Sequence, residues 1–136
     1  MRVRRATAAD QDSVQDLQSR IFTESDRVPV SSCHWWIAED GVKPVGFAGL
    51  RDIGDNIGFL CLSGVLPGAR GNGLQRRMIH ARTRWAKVSG FSTVITYTLV
   101  SNPASSNSLI GAGFRLYDPE IAWLGRTLLY WKKELT

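Results

Sequence analysis

The chain is poor in the residues that build metal centres and covalent frameworks: its 136 residues include two cysteines and two histidines. Cys33 and Cys61 have no CxxC spacing, and His34 and His80 cannot complete a zinc site without distant partners, so neither a disulfide framework nor structural metal is expected. Long apolar runs are missing too. The stretch from Ile57 to Leu62 is broken by Gly and Ser well before the ~20 residues of a membrane span, and no transmembrane helix is expected. The opening Met1-Arg2-Val3-Arg4-Arg5 is charged but leads into no apolar segment, which argues against a secretory signal and for a soluble, cytoplasmic protein. Acidic residues are the minority charge: 12 Asp and Glu face 17 Lys and Arg, for a net charge of +5. Thirteen of those 17 are Arg, whose planar fork suits phosphate, so the composition points to an anionic partner, either nucleic acid or a phosphorylated small molecule. The length and the 43% hydrophobic content fit one domain spanning residues 1–136.

What is present reads as alternating strands and helices. After a brief alternation over Arg2 to Arg5, Thr7-Ala8-Ala9-Asp10 has the form of a capping box. Val14, Leu17 and Ile21 then recur at helical spacing, with Asp12, Gln15, Asp16 and Gln18 between them, which predicts an amphipathic helix to about Phe22. Glu24 to Ser32, containing Pro29, reads as a loop or short irregular helix. Runs over Cys33 to Glu39 and Pro44 to Leu50, joined by Glu39-Asp40-Gly41, predict a hairpin; Ile57 to Leu66 supplies a further strand ending at Pro67-Gly68. Leu74, Met78, Ala81, Trp85 and Val88 form the apolar stripe of the clearest helix, leaving Arg76, Arg77, His80, Arg82, Arg84 and Lys87 outside it. Ser89-Gly90 stops that helix, and Thr93 to Val100 is a β-branched strand. Asn102-Pro103 opens a short helix with Asn as N-cap, ending at Gly111 or Gly113. Phe114 to Tyr117 and Trp123 to Trp131, separated by Asp118-Pro119-Glu120, close the chain as strands. The expected class is α/β (α+β), a mixed and mainly antiparallel sheet of six or seven strands flanked by about four helices.

Chemistry concentrates at Val65-Leu66-Pro67-Gly68-Ala69-Arg70-Gly71-Asn72-Gly73-Leu74-Gln75, where a strand runs through a glycine-bearing loop into a helix N-terminus. The first turn of a helix has N–H groups without intrahelical acceptors and carries the positive dipole end, so such a loop is an anion site. Gly71 and Gly73 permit close approach and the positive φ angles that turn N–H groups toward one centre. A Walker loop needs Gly-Lys-Ser/Thr and a dinucleotide fingerprint needs GxGxxG with a downstream acid; neither is here.

With Val65, Pro67, Arg70, Gly71 and Gly73 in the order V-x-P-x-x-R-G-x-G, the segment resembles the acyl-CoA motif of the GNAT family of N-acetyltransferases. A second match follows at Asn102-Pro103-Ala104-Ser105, Leu109 and Ala112-Gly113-Phe114, similar to that family's helix and G-F strand, and the resemblance covers essentially the whole chain. It implies an acetyl-CoA-dependent N-acetyltransferase. The backbone N–H groups of Gly71, Asn72, Gly73, Leu74 and Gln75 would bind the pyrophosphate, Val65 and Leu66 the pantetheine arm through their backbone, and Asn102 and Ser105 the same arm. Arg76 or Arg77 would meet a phosphate. Acetyl-CoA is the implied co-substrate, with no metal.

The chain departs from the family pattern at three places. Gln75 replaces the last small residue of the motif, Leu109 stands where the family often has a general-acid tyrosine, and Phe59 or Cys61 where it often has a catalytic glutamate. The catalytic residues are therefore unassigned. Asp52, Asp55, Ser105, Ser108 and Tyr117 are substitute candidates, each with an ordinary turn, cap or packing role as the alternative, and Cys61 reads as an inert small hydrophobe. At neutral pH, freeing a lysine amine of its proton costs roughly 4.6 kcal/mol against roughly 1.4 for an α-amine. A site without the usual base therefore favours a small-molecule or peptide α-amine. The alternatives are a CoA-binding module or regulator of the same fold, and, ranked last, nucleic-acid binding through the 76–87 Arg face, whose only aromatic, Trp85, falls on the apolar stripe. The acceptor pocket is expected from Thr23 to Pro29 and the 118–123 loop. The aromatic last strand offers an edge to a second subunit, hence an expected homodimer.

Overall fold

In a computed structural model of the chain, residues 1–119 and 128–135 are described. The first strand, β1 (Arg2–Arg5), leads through a 3-10 turn at Ala8–Asp10 into α1 (Gln11–Ile21). Asp10 organises that entry. Its carboxylate accepts the Thr7 N–H at 2.7 Å and a bidentate pair from the Arg4 guanidinium at 2.8 Å, while Arg4 Nε reaches Glu39 at 2.9 Å. These hydrogen bonds, from Arg4 first and then Thr7, hold the Asp10 carboxyl well below the usual carboxylate range. A depressed carboxylate pKa contributes stability that is present above the unfolded value and lost as pH falls through the folded one. Asp10→Asn is accordingly expected to cost on the order of 2 kcal/mol at neutral pH. In urea titrations, the gap to wild type should begin to narrow below about pH 4, where the unfolded chain's carboxyl takes up its proton, and close only as pH falls to the much lower folded value. A gap independent of pH would show that the loss is not ionic.

The hairpin and the strand after it form as predicted: β2 (His34–Asp40), β3 (Lys43–Asp52) and β4 (Ile57–Val65) pair antiparallel. Then come α2 (Leu74–Val88), β5 (Thr93–Leu99), α3 (Pro103–Gly111), β6 (Arg115–Leu116) and β7 (Leu128–Glu134). The Asn102 side chain caps α3 by accepting the Ser105 N–H at 3.2 Å. Among the described residues, seven strands run in the order β1-β2-β3-β4-β5-β7-β6, with β4 and β5 their one parallel pair. Residues 123–127 of the expected last strand and Glu120 lie outside the described residues, as does most of the 118–123 loop. No helix among the described residues is long and apolar enough to cross a membrane.

Strand alternation splits the apolar residues between two faces. Trp35, Ile37 and Phe47 pack with Val14 and Leu17 of α1, while Trp36, Ala48, Leu50 and Leu60 turn to the side covered by α2. Two side chains read as solvent-facing in the sequence are in fact buried. Gln18 on α1 is 2% exposed; its amide donates to the Val28 carbonyl at 3.1 Å and accepts the Val28 N–H at 2.9 Å, tying the 22–33 segment to the helix. Arg82 on α2 is also 2% exposed. The face of α2 that meets the sheet is Leu74, Met78, Arg82 and Ala86, with Ile79 and Thr83 beside them, and Val88 is 84% exposed. The apolar spacing drew the stripe toward Ala81, Trp85 and Val88 because Arg82 and Thr83 interrupt the true one. Trp85 is only partly buried, lying against Trp36 and Phe91 under the Arg5 guanidinium.

Candidate active site at a strand splay

Parallel pairing of β4 and β5 extends over just three residue pairs, Ile57 with Thr93, Gly58 with Val94 and Phe59 with Ile95. Beyond them the strands diverge. At the fork the Thr96 hydroxyl donates to the Leu60 carbonyl at 2.8 Å, so a side chain takes the place of the next ladder bond. On the other edge of β4 the register with β3 shifts between Ala48 and Leu50, a bulge that bends the strand away. Arg82 fills the position this creates, donating from Nη1 to the Gly49 carbonyl at 2.9 Å and from Nε to the Met78 carbonyl at 3.2 Å. Complete burial lowers its pKa to about 10, which leaves the guanidinium charged at neutral pH.

The wedge between the strands is a cavity of about 500 Å³, walled by Ser63, Thr96 and Tyr97 on the sheet side, by Arg82 of α2 and by Ser105 and Leu109 of α3. It adjoins a second cavity of about 270 Å³ at the start of α2, Arg70, Gln75 and Ser108 lining both. The connecting loop has the conformation expected of its glycines: Gly71 and Gly73 sit at φ 83° and 71°. A Cβ at either would meet nothing within 4 Å, so it is the left-handed backbone, not space within the chain, that requires glycine. Gly73 is the N-cap of α2 and, having no side chain, gives that end no capping hydrogen bond. Its first-turn N–H groups therefore lack the usual intramolecular acceptor.

The ten residues singled out in the sequence divide accordingly. Val65, Gly71, Gly73 and Leu74 line the smaller cavity, Asn102 and Ser105 the larger, and Arg70 and Gln75 both. Asn72 borders neither; its side chain donates to the Ala69 carbonyl at 2.9 Å and shapes the loop. Leu66 is buried against the α1 core, and its N–H is taken by the Val45 carbonyl at 2.8 Å. Arg70 Nε holds the Val65 carbonyl at 3.1 Å. The Gln75 side chain accepts from Ser63 at 3.2 Å and is drawn toward the splay. Of the two helix-start arginines, Arg76 lines the smaller cavity, whereas Arg77 donates to the Met1 carbonyl at 2.9 Å.

The substitute acid and base candidates separate too. Ser105 and Ser108 line the splay. Asp52 accepts the Gly54 N–H in its turn, Asp55 belongs to the same turn at φ 56°, and Tyr117 packs on Tyr130; none of these three borders either cavity. Among the described residues no carboxylate lines the splay, and no three His, Cys, Asp or Glu cluster as metal ligands would. Sequence reasoning missed Arg82, Tyr97 and the serine and threonines of the fork. For Tyr97, Thr96 and Ser63 the available signal was their place on the strands that flank the glycine loop and its helix. Of the two positions that match the family's frequent glutamate, Cys61 also lines the splay, while Phe59 stacks on Tyr97 with ring centroids 6.0 Å apart.

A splayed parallel pair, a glycine loop and an uncapped helix start are here contiguous, and residues 3–114 match the model of the acetyltransferase (GNAT) family. The chain belongs to that family. Its fold is similar to a ribosomal-protein-alanine N-acetyltransferase from Brucella melitensis, at TM-score 0.78 and 19% identity over 99% of this chain and 100% of that one. The ribosomal-protein-S18-alanine N-acetyltransferase from Escherichia coli superposes with TM-score 0.78 at 14% identity, over 99% and 94% of the two chains. A phosphinothricin acetyltransferase from Sinorhizobium meliloti, solved in complex with acetyl-CoA, gives 0.76 at 16% identity over 98% and 88%. No curated protein matches the sequence. The mixed sheet expected from the sequence is thus the GNAT fold.

Proposed function

We propose that this GNAT chain is a single acyltransferase domain, residues 1–136, that transfers the acetyl group of acetyl-CoA to a primary amine, of a small molecule or at a peptide N-terminus. One observation carries the reading: the 500 Å³ splay and the 270 Å³ cavity at the α2 start share Arg70, Gln75 and Ser108 in their linings, which puts the neutral N–H donors of the helix start beside the sheet interior. The N–H groups from Gly71 to Gln75 hold the diphosphate and Arg76 adds charge beside it. The splay takes the pantetheine arm once Arg70 releases the Val65 carbonyl, with Asn102 and Ser105 at its rim. The neutral amine attacks the thioester carbonyl to form the C–N bond, the C–S bond breaks and CoA thiolate leaves, and the proton shed by the nitrogen passes to solvent. With no carboxylate along the splay among the described residues, rate enhancement comes chiefly from proximity and from polar groups aimed at the developing charge. Tyr97 is the phenol on this wall and serves as proton donor to the leaving sulfur. An α-amine suits the site because it arrives with a far smaller deprotonation cost than lysine.

The lack of a carboxylate on the splay among the described residues, with Leu109 buried at the usual tyrosine position, favours as the second reading a CoA-binding module with little transfer activity. A thermal-shift titration with acetyl-CoA and CoA, followed by a thiol-release screen over amines and N-terminal peptides, separates them. Acetyl-CoA should raise the melting temperature by mass action, and α-amines should release thiol, more slowly in Tyr97→Phe. Stabilisation without release on any amine selects the binding module. No stabilisation by either CoA form overturns both.

A further inference from the structure

The two cysteines, dispersed in sequence, converge in space. Cys33 immediately precedes β2 and Cys61 lies in β4, with β3 running between these strands, yet their sulfurs are 2.9 Å apart. Gly49 of β3 makes this meeting feasible: a Cβ there would lie 2.5 Å from Cys61 Sγ and 2.8 Å from the Trp35 ring. The thiols therefore face each other through the gap left by a missing side chain. Their surroundings differ. Cys33 opens on a surface cavity of about 340 Å³ beside Arg5 and His34, whereas Cys61 forms part of the splay wall near the Arg82 charge. Arg51 approaches Cys33 through the shared Ser32, with its Nη2 3.4 Å from Ser32 Oγ, and its Nε is buried without a partner among the described residues. A thiolate at Cys33 would thus have a thiol donor on one side and a guanidinium on the other.

We propose that Cys33 and Cys61 are a redox-active pair, Cys33 the peroxide-reactive sulfur and Cys61 the resolving one, which closes to an intramolecular disulfide. The hydrogen bond from Cys61, with the nearby Ser32 and Arg51, brings the Cys33 thiol down to about 6, and burial drives the Cys61 thiol up. Hydrogen peroxide is the oxidant. Cys33 sulfur attacks one peroxide oxygen, the O–O bond breaks and the departing hydroxide takes a proton as water, leaving a sulfenic acid. Cys61 sulfur then attacks the sulfenyl sulfur; the S–O bond breaks, the Cys61 proton leaves with that oxygen as a second water, and the S–S bond forms. Two thiols lose two electrons and peroxide gains them. The pair does not depend on the acyl-transfer reading.

The test is peptide mapping of the reduced protein after brief peroxide treatment and alkylation of remaining thiols. A Cys33–Cys61 cross-linked peptide, lost on treatment with dithiothreitol, is the expected result. Cys61→Ala should instead accumulate a Cys33 sulfenic acid that dimedone traps, and Cys33→Ser should leave Cys61 as a thiol. Complete alkylation of both wild-type cysteines after peroxide overturns the proposal. So does a Cys33 sulfinic acid beside an intact Cys61 thiol, or a disulfide between two chains. Because the wild-type map alone decides, instability of a variant leaves the test intact.

Discussion

Arg82→Ala is expected to lower the free energy of unfolding by about 3 to 5 kcal/mol, a large part of the 5 to 15 that a domain of this kind possesses. Two losses combine. The Gly49 carbonyl, displaced from the ladder by the β3–β4 register shift, has the Arg82 Nη1 donor at 2.9 Å, and without it faces a buried site with no partner. Truncation also removes a long side chain from the packed face of α2 between Met78 and Ala86, leaving a void. Arg82→Met separates the two. Methionine refills most of the volume and relieves the cost of burying a charge, a cost visible in the pKa lowered to about 10 by desolvation. It still leaves the carbonyl orphaned, so its loss should stay within about 1 to 2 kcal/mol. Urea denaturation of the three proteins reads the difference. An alanine variant within about 1 kcal/mol of wild type would mean that the bulge holds itself without the guanidinium.

Why Arg82 was illegible in the sequence, when Leu74 and Met78 beside it were plain, has a simple physical origin. Periodicity detects buried apolar side chains, and it places a charged one outside whenever its partner is a backbone carbonyl distant in sequence. Gln18 was missed in the same way, since both its hydrogen bonds go to the backbone of Val28. Conversely, elements whose cause is local were readable. The Asn102 cap, the Pro103 start of α3, the turn at Gly41, and the left-handed glycines before α2 each follow from residue type alone. The glycine loop was legible as an anion site because the helix N-terminus it feeds is defined by the residues beside it. The splay was not, because it depends on where a parallel ladder stops, and that is decided by Thr96 meeting the Leu60 carbonyl across 36 positions of chain. The thiol pair required the topology too: nothing in the spacing of Cys33 and Cys61 says that Gly49 will lie between them.

Gly73→Val is expected to weaken acetyl-CoA binding about 100-fold or more, equivalent to about 2.7 kcal/mol. At φ 71° a β-branched residue is strained by on the order of 1 to 3 kcal/mol, and the loop can escape that strain by turning the peptide out of the left-handed region. Turning it out redirects the N–H groups that converge on the α2 start. Stability and binding would then both fall, so a second glycine is needed to tell a specific loss from general damage. Gly90 supplies it. It lies just beyond the other end of α2 at φ 94°, and, as at Gly73, a Cβ there would meet nothing within 4 Å. The helix between them is 15 residues, about 22 Å at the usual rise, and Gly90 borders neither cavity of the site. Gly90→Val therefore carries a comparable backbone penalty without touching the anion donors. The expected pattern is similar destabilisation in urea for both variants, with acetyl-CoA affinity, read by calorimetry below both melting points, lost only in Gly73→Val. Equal affinities in the two variants would remove the glycine loop from the cofactor site, because the same strain would then have displaced donors that acetyl-CoA does not use.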